Sequence, residues 1–490
     1  MPATEINRPV SRFRRFAIAT SRETGTLAAI LLGATLLLWP AAFNGYPLVF
    51  SDTGTYLSQA VHRYLGWDRP VFYSLFLLPL HLTLTTWPAI VVQALLAAHT
   101  LHLVRRTLLP SVSAWWLVPL LGALALASPL PWLASQLMPD LFTGLLVLAL
   151  GLLLFATACL SRAERIWLTV FSAFMIAAHQ SHLPLVLLLL PVLLGLRWWL
   201  GPDVSRDTGP RETMWIVAGR MLVAPIMACV ALASVNLAGH HRASLAPFGN
   251  MFLLARVIYD GPGMRVLARD CPHTHWRLCP YLDQFPATAD LFLWQQDGPL
   301  AHAGGAKLVS PEADAILEAA IAAEPIAELR AVLGNAARQF AMFATGDGLV
   351  AWPTTVAPWI LQDFPRFEAD AYRASRQNNG VLLLPAWLLM LHRTVALIGV
   401  AICCALLPMA LRRRHGVAGF LVLMLLALPI NALITGGVSG PHDRYQSRVM
   451  WLAPLLAALA IAGLVIPKLA MPGRGNDVPA PQLRARLSGA

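Results

Sequence analysis

The chain has 490 residues, 57% of them hydrophobic and 12% charged, with a mean hydropathy of +0.61. Soluble domains carry charge on roughly a quarter of their residues, so this balance excludes an ordinary soluble protein and fits an all-α, polytopic membrane protein. The formal charge of +11 would suit nucleic acid in a soluble chain, but the arginines lie in short loops between apolar runs, where topology and lipid headgroups account for them, and no nucleic-acid partner is expected.

Arg12, Arg14, Arg15 and Arg22 precede an apolar run from Thr26 to Phe43. That run is longer than a signal-peptide core and lacks a convincing cleavage site, so it reads as an uncleaved first span. Further apolar runs follow at 87–104, 112–128, 140–160, 166–179, 183–199, 214–236, 394–411, 416–435 and 449–467. Each is near the length needed to cross a bilayer core, the fifth span being short, and the pattern predicts about ten transmembrane helices. Arg105–Arg106, Arg162 with Arg165, the Arg197–Arg211 segment, Arg412 to Arg414 and the tail with Arg474, Arg484 and Arg486 fall on one side. The positive-inside rule makes that side cytoplasmic, and it holds both termini. The expected units are an N-terminal membrane module at 1–236 with a first outer loop at 44–86, an outer loop domain at 237–393, a C-terminal membrane module at 394–467 and a cytoplasmic tail at 468–490.

The first outer loop contains FSDTGTYLSQAVHRYLGWDRPVFY, Phe50 to Tyr73. Leu57, Ala60, Val61, Tyr64 and Leu65 recur at helical spacing, and Gly66 supplies a stop, which predicts a short amphipathic helix at the membrane interface. Asp52 falls at its start, where it serves either as a helix N-cap or as a functional carboxylate. Pro70 to Leu82 reads as a second interfacial helix, and Arg69 at its head either reaches to headgroups or binds a specific anion. The same side receives SPLPWLASQLMPD (128–140), AHQSHLP (178–184) and GGVSGPHDRYQSR (436–448). Asp140 there opens the fourth span, and Asp443–Arg444 has the makings of a local ion pair.

In the long outer segment, Ser310-Pro311-Glu312 has the pattern of a helix start, with Ile316, Leu317, Ala320 and Ile321 on one face. A second helix is expected from Pro325, with Ile326, Leu329, Leu333, Ala336 and Phe340 as its apolar stripe, stopping before Gly346-Asp347-Gly348. Such helices lie on a bilayer or form a mostly helical cap over a cavity. Cys271 and Cys279 in CPHTHWRLCP pair as a disulfide in an oxidising compartment; zinc on Cys271, His273, His275 and Cys279 is the alternative, though the spacing matches no strong zinc motif. Cys159, Cys229, Cys403 and Cys404 fall in spans and read as packing residues.

A first span, an outer loop with aspartate near its start, two juxtamembrane helices and a second span together resemble the GT-C superfamily of integral-membrane glycosyltransferases, among them aminoarabinose transferases and protein O-mannosyltransferases. Asp52 and Tyr56 in SDTGTYL and Arg69, Pro70 and Tyr73 in RPVFY carry the likeness. The second segment is similar to the basic-Pro-Pro-x-Tyr stretch of the aminoarabinose-type enzymes, with Val71 in place of the second proline. Asp140 in LMPDLFTGLLVLAL matches a second acidic site. The resemblance covers two short motifs and a general layout; residues 237–393 match nothing assignable.

The resemblance implies sugar transfer from a polyprenyl-phosphate donor to a lipid, glycan or protein acceptor at the periplasmic face of the bacterial inner membrane. Asp52 is then the base that takes the acceptor's proton. Arg69, Tyr73, Arg393, Arg444 and Arg448 become the donor-phosphate set, since a leaving phosphate needs fixed positive donors. Tyr56, His179 and His182 are candidate sugar contacts, the histidines having a plainer reading as helix-end polar residues. No cofactor is required; a divalent cation on Asp52 and Asp140 stays open. The rival is a lipid or polysaccharide transporter without chemistry, and a third reading is a cell-envelope scaffold. Scarcity of charge inside the spans argues against an ion-driven carrier.

Overall fold

The computed structural model describes residues 9–201, 213–413 and 416–465, with side chains from residue 23 onward. The basic loop at 202–212, Arg414, the tail at 468–490 and the side chains of Arg12, Arg14, Arg15 and Arg22 lie outside the described residues. Among the described residues the chain is helical, without a strand; one isolated bridge pairs Leu48 with Gln136.

Helix α1 (Pro9–Leu36) ends where Pro40 approaches, and a short turn of helix, Trp39–Asn44, closes on Gly45 in the left-handed region (φ 82°). The first loop then forms α2 (Thr53–Val61) and α3 (Phe72–His81). The sequence placed the end of α2 at Gly66, but the helix stops at Val61 because Arg63 turns to φ 54°, and Tyr64 and Leu65 follow as coil. Next come α4 (Trp87–Leu108), the Ala114–Ala127 helix, α5 (Leu141–Phe155), α6 (Arg162–Ala178), α7 (His182–Leu200) and α8 (Met214–His240). The long intervening segment contributes α9 (Asn250–Asp260), α10 (Ala289–Trp294), α11 (Ala306–Ala323) and α12 (Pro325–Ala341). The chain closes with α13 (Ala386–Arg412), α14 (Val417–Val438) and α15 (Asp443–Val465), whose last turn widens to a π-helix.

Six of these, α4, α7, α8, α13, α14 and α15, are long and apolar enough to cross a membrane. Of the other expected spans, the first lies in the 28-residue α1, whose apolar part is Glu23–Leu36, and the rest are shorter helices, 15 residues in α5 and 17 in α6. Helix α15 starts at Asp443, before the apolar run at 449 that marked it in the sequence, so Arg444, Tyr445 and Arg448 sit in its first turns rather than in a connector.

One core runs through the membrane helices, from Ala34 and Leu57 to Trp451 and Leu464. A second core belongs to α9 and α11 and their neighbours, where Met251, Leu254, Ile258, Phe292, Ile316, Leu317 and Ala320 are buried together. Helix α11 begins at Ala306 behind Gly305, not at Ser310: Ser310 is interior and bonds Asn250, and Ile321 is exposed. Cys271 and Cys279 are joined as a disulfide, with Cα atoms 5.4 Å apart. Both sulfurs are thereby consumed, and the zinc alternative is set aside.

Candidate functional site

Asp52 occupies the N-cap position of α2, yet its side chain makes no cap hydrogen bond. The carboxylate turns instead to two arginines. Arg69 Nη2 donates to Oδ1 at 2.6 Å, and Arg444 Nη2 and Nη1 approach Oδ2 at 3.4 and 3.5 Å. Sequence reading left N-cap and functional carboxylate both open; the geometry selects a carboxylate held by two guanidiniums. Asp52 is 9% exposed. Burial raises its affinity for a proton, but Arg69 and Arg444 together outweigh that and hold the carboxyl below its usual range.

Arg69 also donates to the Asp68 carbonyl at 2.9 Å, and its guanidinium lies 5.5 Å from the Trp294 ring centroid and 5.7 Å from Phe252. Trp67, next but one to Arg69, stacks on both rings. Arg444 lies over Phe50 at 3.9 Å and Tyr445 at 4.9 Å. Each cation of the site therefore has aromatic faces beside it, an arrangement that holds a guanidinium flat while leaving its N–H edge free to bond.

One turn further along α15, the fully buried Arg448 reaches Asp140 at 3.4 Å, Ser181 Oγ at 2.8 Å and Asn431 Oδ1 at 3.1 Å, with His179 Nε2 also at 3.4 Å. Asp140 and Asp52 are thus drawn toward one helix by arginines four residues apart, which share a face. As arranged, the two carboxylates form three ion pairs with arginine, and among the described residues no group of three or more His, Cys, Asp or Glu side chains is placed to hold a metal.

Tyr56 and Tyr73 pack edge to face at 4.8 Å beneath Asp52, and Tyr73 donates its hydroxyl proton to Gln93. Both are almost wholly buried, so Tyr73 packs inside the helical body with its hydroxyl proton engaged by Gln93. His182 does not face outward: its ring bonds Thr143 and the Met175 carbonyl, leaving neither nitrogen for a sugar. His179 accepts from the Ser181 backbone N–H through Nδ1 and faces Arg448, inside the same network. Arg393 is not among the partners of Asp52 or Asp140; it is exposed on α13, with its guanidinium 5.7 Å from Phe343.

Three features escaped sequence reading. Asp443 does not pair with its neighbour Arg444: it accepts from the Ala344 N–H, while Arg444 turns to Asp52. Helix α10 presents Trp294 to Arg69 and Asp290 to His442 at 3.4 Å, while Phe292 on its opposite side enters the second core. Asp68, 8% exposed, makes no side-chain ion pair among the described residues; burial raises its pKa, Arg69 offsets part of that, and Asp52 adds to it. In the WDRP string the sequence reading singled out Arg69 and Pro70, although Trp67 and Asp68 prove to be part of the same surroundings.

Comparison of the chain with protein-family models, curated proteins and solved structures gave no match.

Proposed function

We propose that this protein is an integral-membrane glycosyltransferase that moves a sugar from a polyprenyl-phosphate donor to a cell-envelope acceptor at the periplasmic face of the bacterial inner membrane. One observation carries the reading: Arg69 and Arg444, from opposite ends of the chain, converge on one buried carboxylate beside an apolar helical body. A paired guanidinium site is suited to a phosphate oxyanion. Its position beside helices long and apolar enough to span a bilayer suits a phosphate that arrives on a lipid. In this reading about ten helices cross the membrane, and α9, α10 and α11 form a cap over the donor site.

In the reaction, the acceptor hydroxyl oxygen attacks the anomeric carbon and the bond from that carbon to the phosphate oxygen breaks. The lipid phosphate leaves with the electron pair, and the hydroxyl proton passes to Asp52. A carboxylate clamped by two arginines is a weak base, because every nearby positive charge favours its anion. Donor phosphate resolves this. It competes for Arg69 and Arg444, and as their N–H groups turn to the phosphate, Asp52 recovers proton affinity with substrate in place. The same guanidiniums then stabilise charge building on the leaving group. Tyr56 and Tyr73 fix the floor beneath Asp52, and Arg448 with Asp140 holds the start of α15 in register.

The test is the glycolipid and glycan profile of a deletion strain complemented with wild type or Asp52→Asn. Loss of a general base costs about 10²–10⁴ in rate. Asp52→Asn is expected to abolish the product while the protein accumulates normally, with unprocessed lipid-linked sugar building up. Near-normal product from that variant sinks the assignment. Movement of labelled lipid-linked substrate across proteoliposomes without any glycosylated product replaces it with transport.

A further inference from the structure

Helix α12 has its polarity reversed relative to a helix that faces water. Glu328, Asn335 and Gln339 are buried, whereas Ile326, Leu329, Leu333 and Phe340 are 65%, 58%, 55% and 46% exposed. A surface helix of a soluble domain does the opposite. Each of these buried side chains has a partner within the protein, although Glu328 Oε1 itself takes no hydrogen bond. Glu328 accepts from Arg256 at 2.7 Å, Asn335 donates to Asp260 at 2.9 Å, and Gln339 exchanges two 2.8 Å hydrogen bonds with the His442 backbone. That is how polar side chains are placed on a helix whose other side meets hydrocarbon.

The neighbour of α12 is α14, one of the helices long and apolar enough to cross a membrane. Their contact depends on small residues: a Cβ on Gly436 would lie 2.4 Å from Gln339 Cβ and 2.8 Å from the Asn335 carbonyl. At 3.6 residues per turn the helix divides into three sectors. One is the buried polar stripe, one the exposed apolar stripe, and the third holds the exposed Arg330, Gly334 and Arg338. An apolar sector beside an arginine sector is the pattern of a helix that meets acyl chains and headgroups together.

We infer that α12 faces the membrane, with Ile326, Leu329, Leu333 and Phe340 against lipid acyl chains and Arg330 and Arg338 reaching toward lipid phosphates. A run of 17 residues makes it about 25 Å long. The long segment after α8 is then not a single unit above the bilayer. Its α9–α11 core continues into a helix that faces the membrane. The end of α12 grips the start of α15 through Gln339 and His442, two residues before Arg444. This inference stands whatever reaction the protein performs.

The test uses the wild-type protein in nanodiscs of mixed zwitterionic and anionic phospholipid, some carrying a photoreactive diazirine on the acyl chain. Trypsin cuts after Arg330 and Arg338 and releases residues 331–338, which include Leu333; after reduction of the Cys271–Cys279 disulfide, cuts after Arg269 and Arg277 release segment 270–277 as a control. Segment 331–338 is expected to carry several-fold more lipid adduct than 270–277, and Leu333 to be protected from hydroxyl radicals generated in the water phase. Oxidation of Leu333 without lipid adduct overturns the inference in favour of a water-facing helix. Neither adduct nor oxidation overturns it in favour of protein cover, such as a second copy of the chain.

Discussion

Asp52 and Asp68 lie in one loop and are pushed in opposite directions. Two arginines bond Asp52 and keep it ionised, while Asp68 is buried without a guanidinium on its own carboxylate. Groups separated in this way often divide the roles of a site. They also predict opposite effects on stability. A carboxyl whose folded pKa is lowered stabilises the fold above its unfolded value, near 3.9, and loses that contribution as pH falls through the folded one. Asp52 behaves so. For Asp68 the sign reverses: the folded state holds the proton more tightly, so ionisation costs stability above its folded pKa and costs nothing once both states are protonated. Asp68→Asn is therefore expected to raise the melting temperature at pH 7, with the gain shrinking toward pH 4. Differential scanning fluorimetry in detergent at both pH values decides it; a lower melting temperature at pH 7 contradicts the assignment. The sequence exposed Asp52 and Arg69 because a charge stands out in an apolar chain. It did not disclose their aromatic neighbours, since Phe252 and Trp294 reach Arg69 through tertiary folding alone.

Between the residue and the molecule, the elements show which sequence signals were local. Helical periodicity gave the start of α12 at Pro325, because proline at the first position acts within the helix itself, and put its end before Gly346, whereas the helix stops at Ala341. It left open which stripe is buried, because that depends on whether water or lipid lies outside. Likewise α15 begins in a polar stretch that hydropathy reads as loop, and its first turns are fixed by Arg444 and Arg448 meeting carboxylates from α2 and α5. Close approach of elements was also invisible. Gly54, in the first turn of α2, faces the Thr355 carbonyl; an added Cβ would sit 1.8 Å from that oxygen and 2.9 Å from the Trp359 ring. Backbone atoms cannot rotate aside, so α2 must shift and carry Asp52 with it. Gly54→Ala is expected to destabilise by about 1–3 kcal/mol or more and to abolish the proposed transfer. Gly195→Ala in α7, where nothing lies within 4 Å, serves as the control and should leave both intact. Equal stability of the two variants would contradict this packing.

At the scale of the whole molecule, the short helices still connect the same two ends. At one end Arg106, in the last turn of α4, makes two 2.8 Å hydrogen bonds to Glu164 at the start of α6. At the other, Asp140 before α5 and Ser181 after α6 both meet Arg448. Helices α5 and α6 therefore run the full distance between the Arg106 end and the Asp52 end, although at 15 and 17 residues they measure only about 22–26 Å. A hydrocarbon core of about 30 Å must thin beside them, or their ends must extend through loop residues. Length alone thus counts six spanning helices where apolar runs count ten. The proposed ten-span topology makes a definite forecast. Alkaline phosphatase, active only outside the cytoplasm, should be inactive when fused after residue 110 or 158 and active after residue 135 or 380. A fluorescent protein that folds only in the cytoplasm should give the mirror image. Activity of the phosphatase fused after both 135 and 158 would mean that α5 does not cross. The ten-span topology, and the placement of Asp52 and Asp140 on one outer face, would then have to be redrawn.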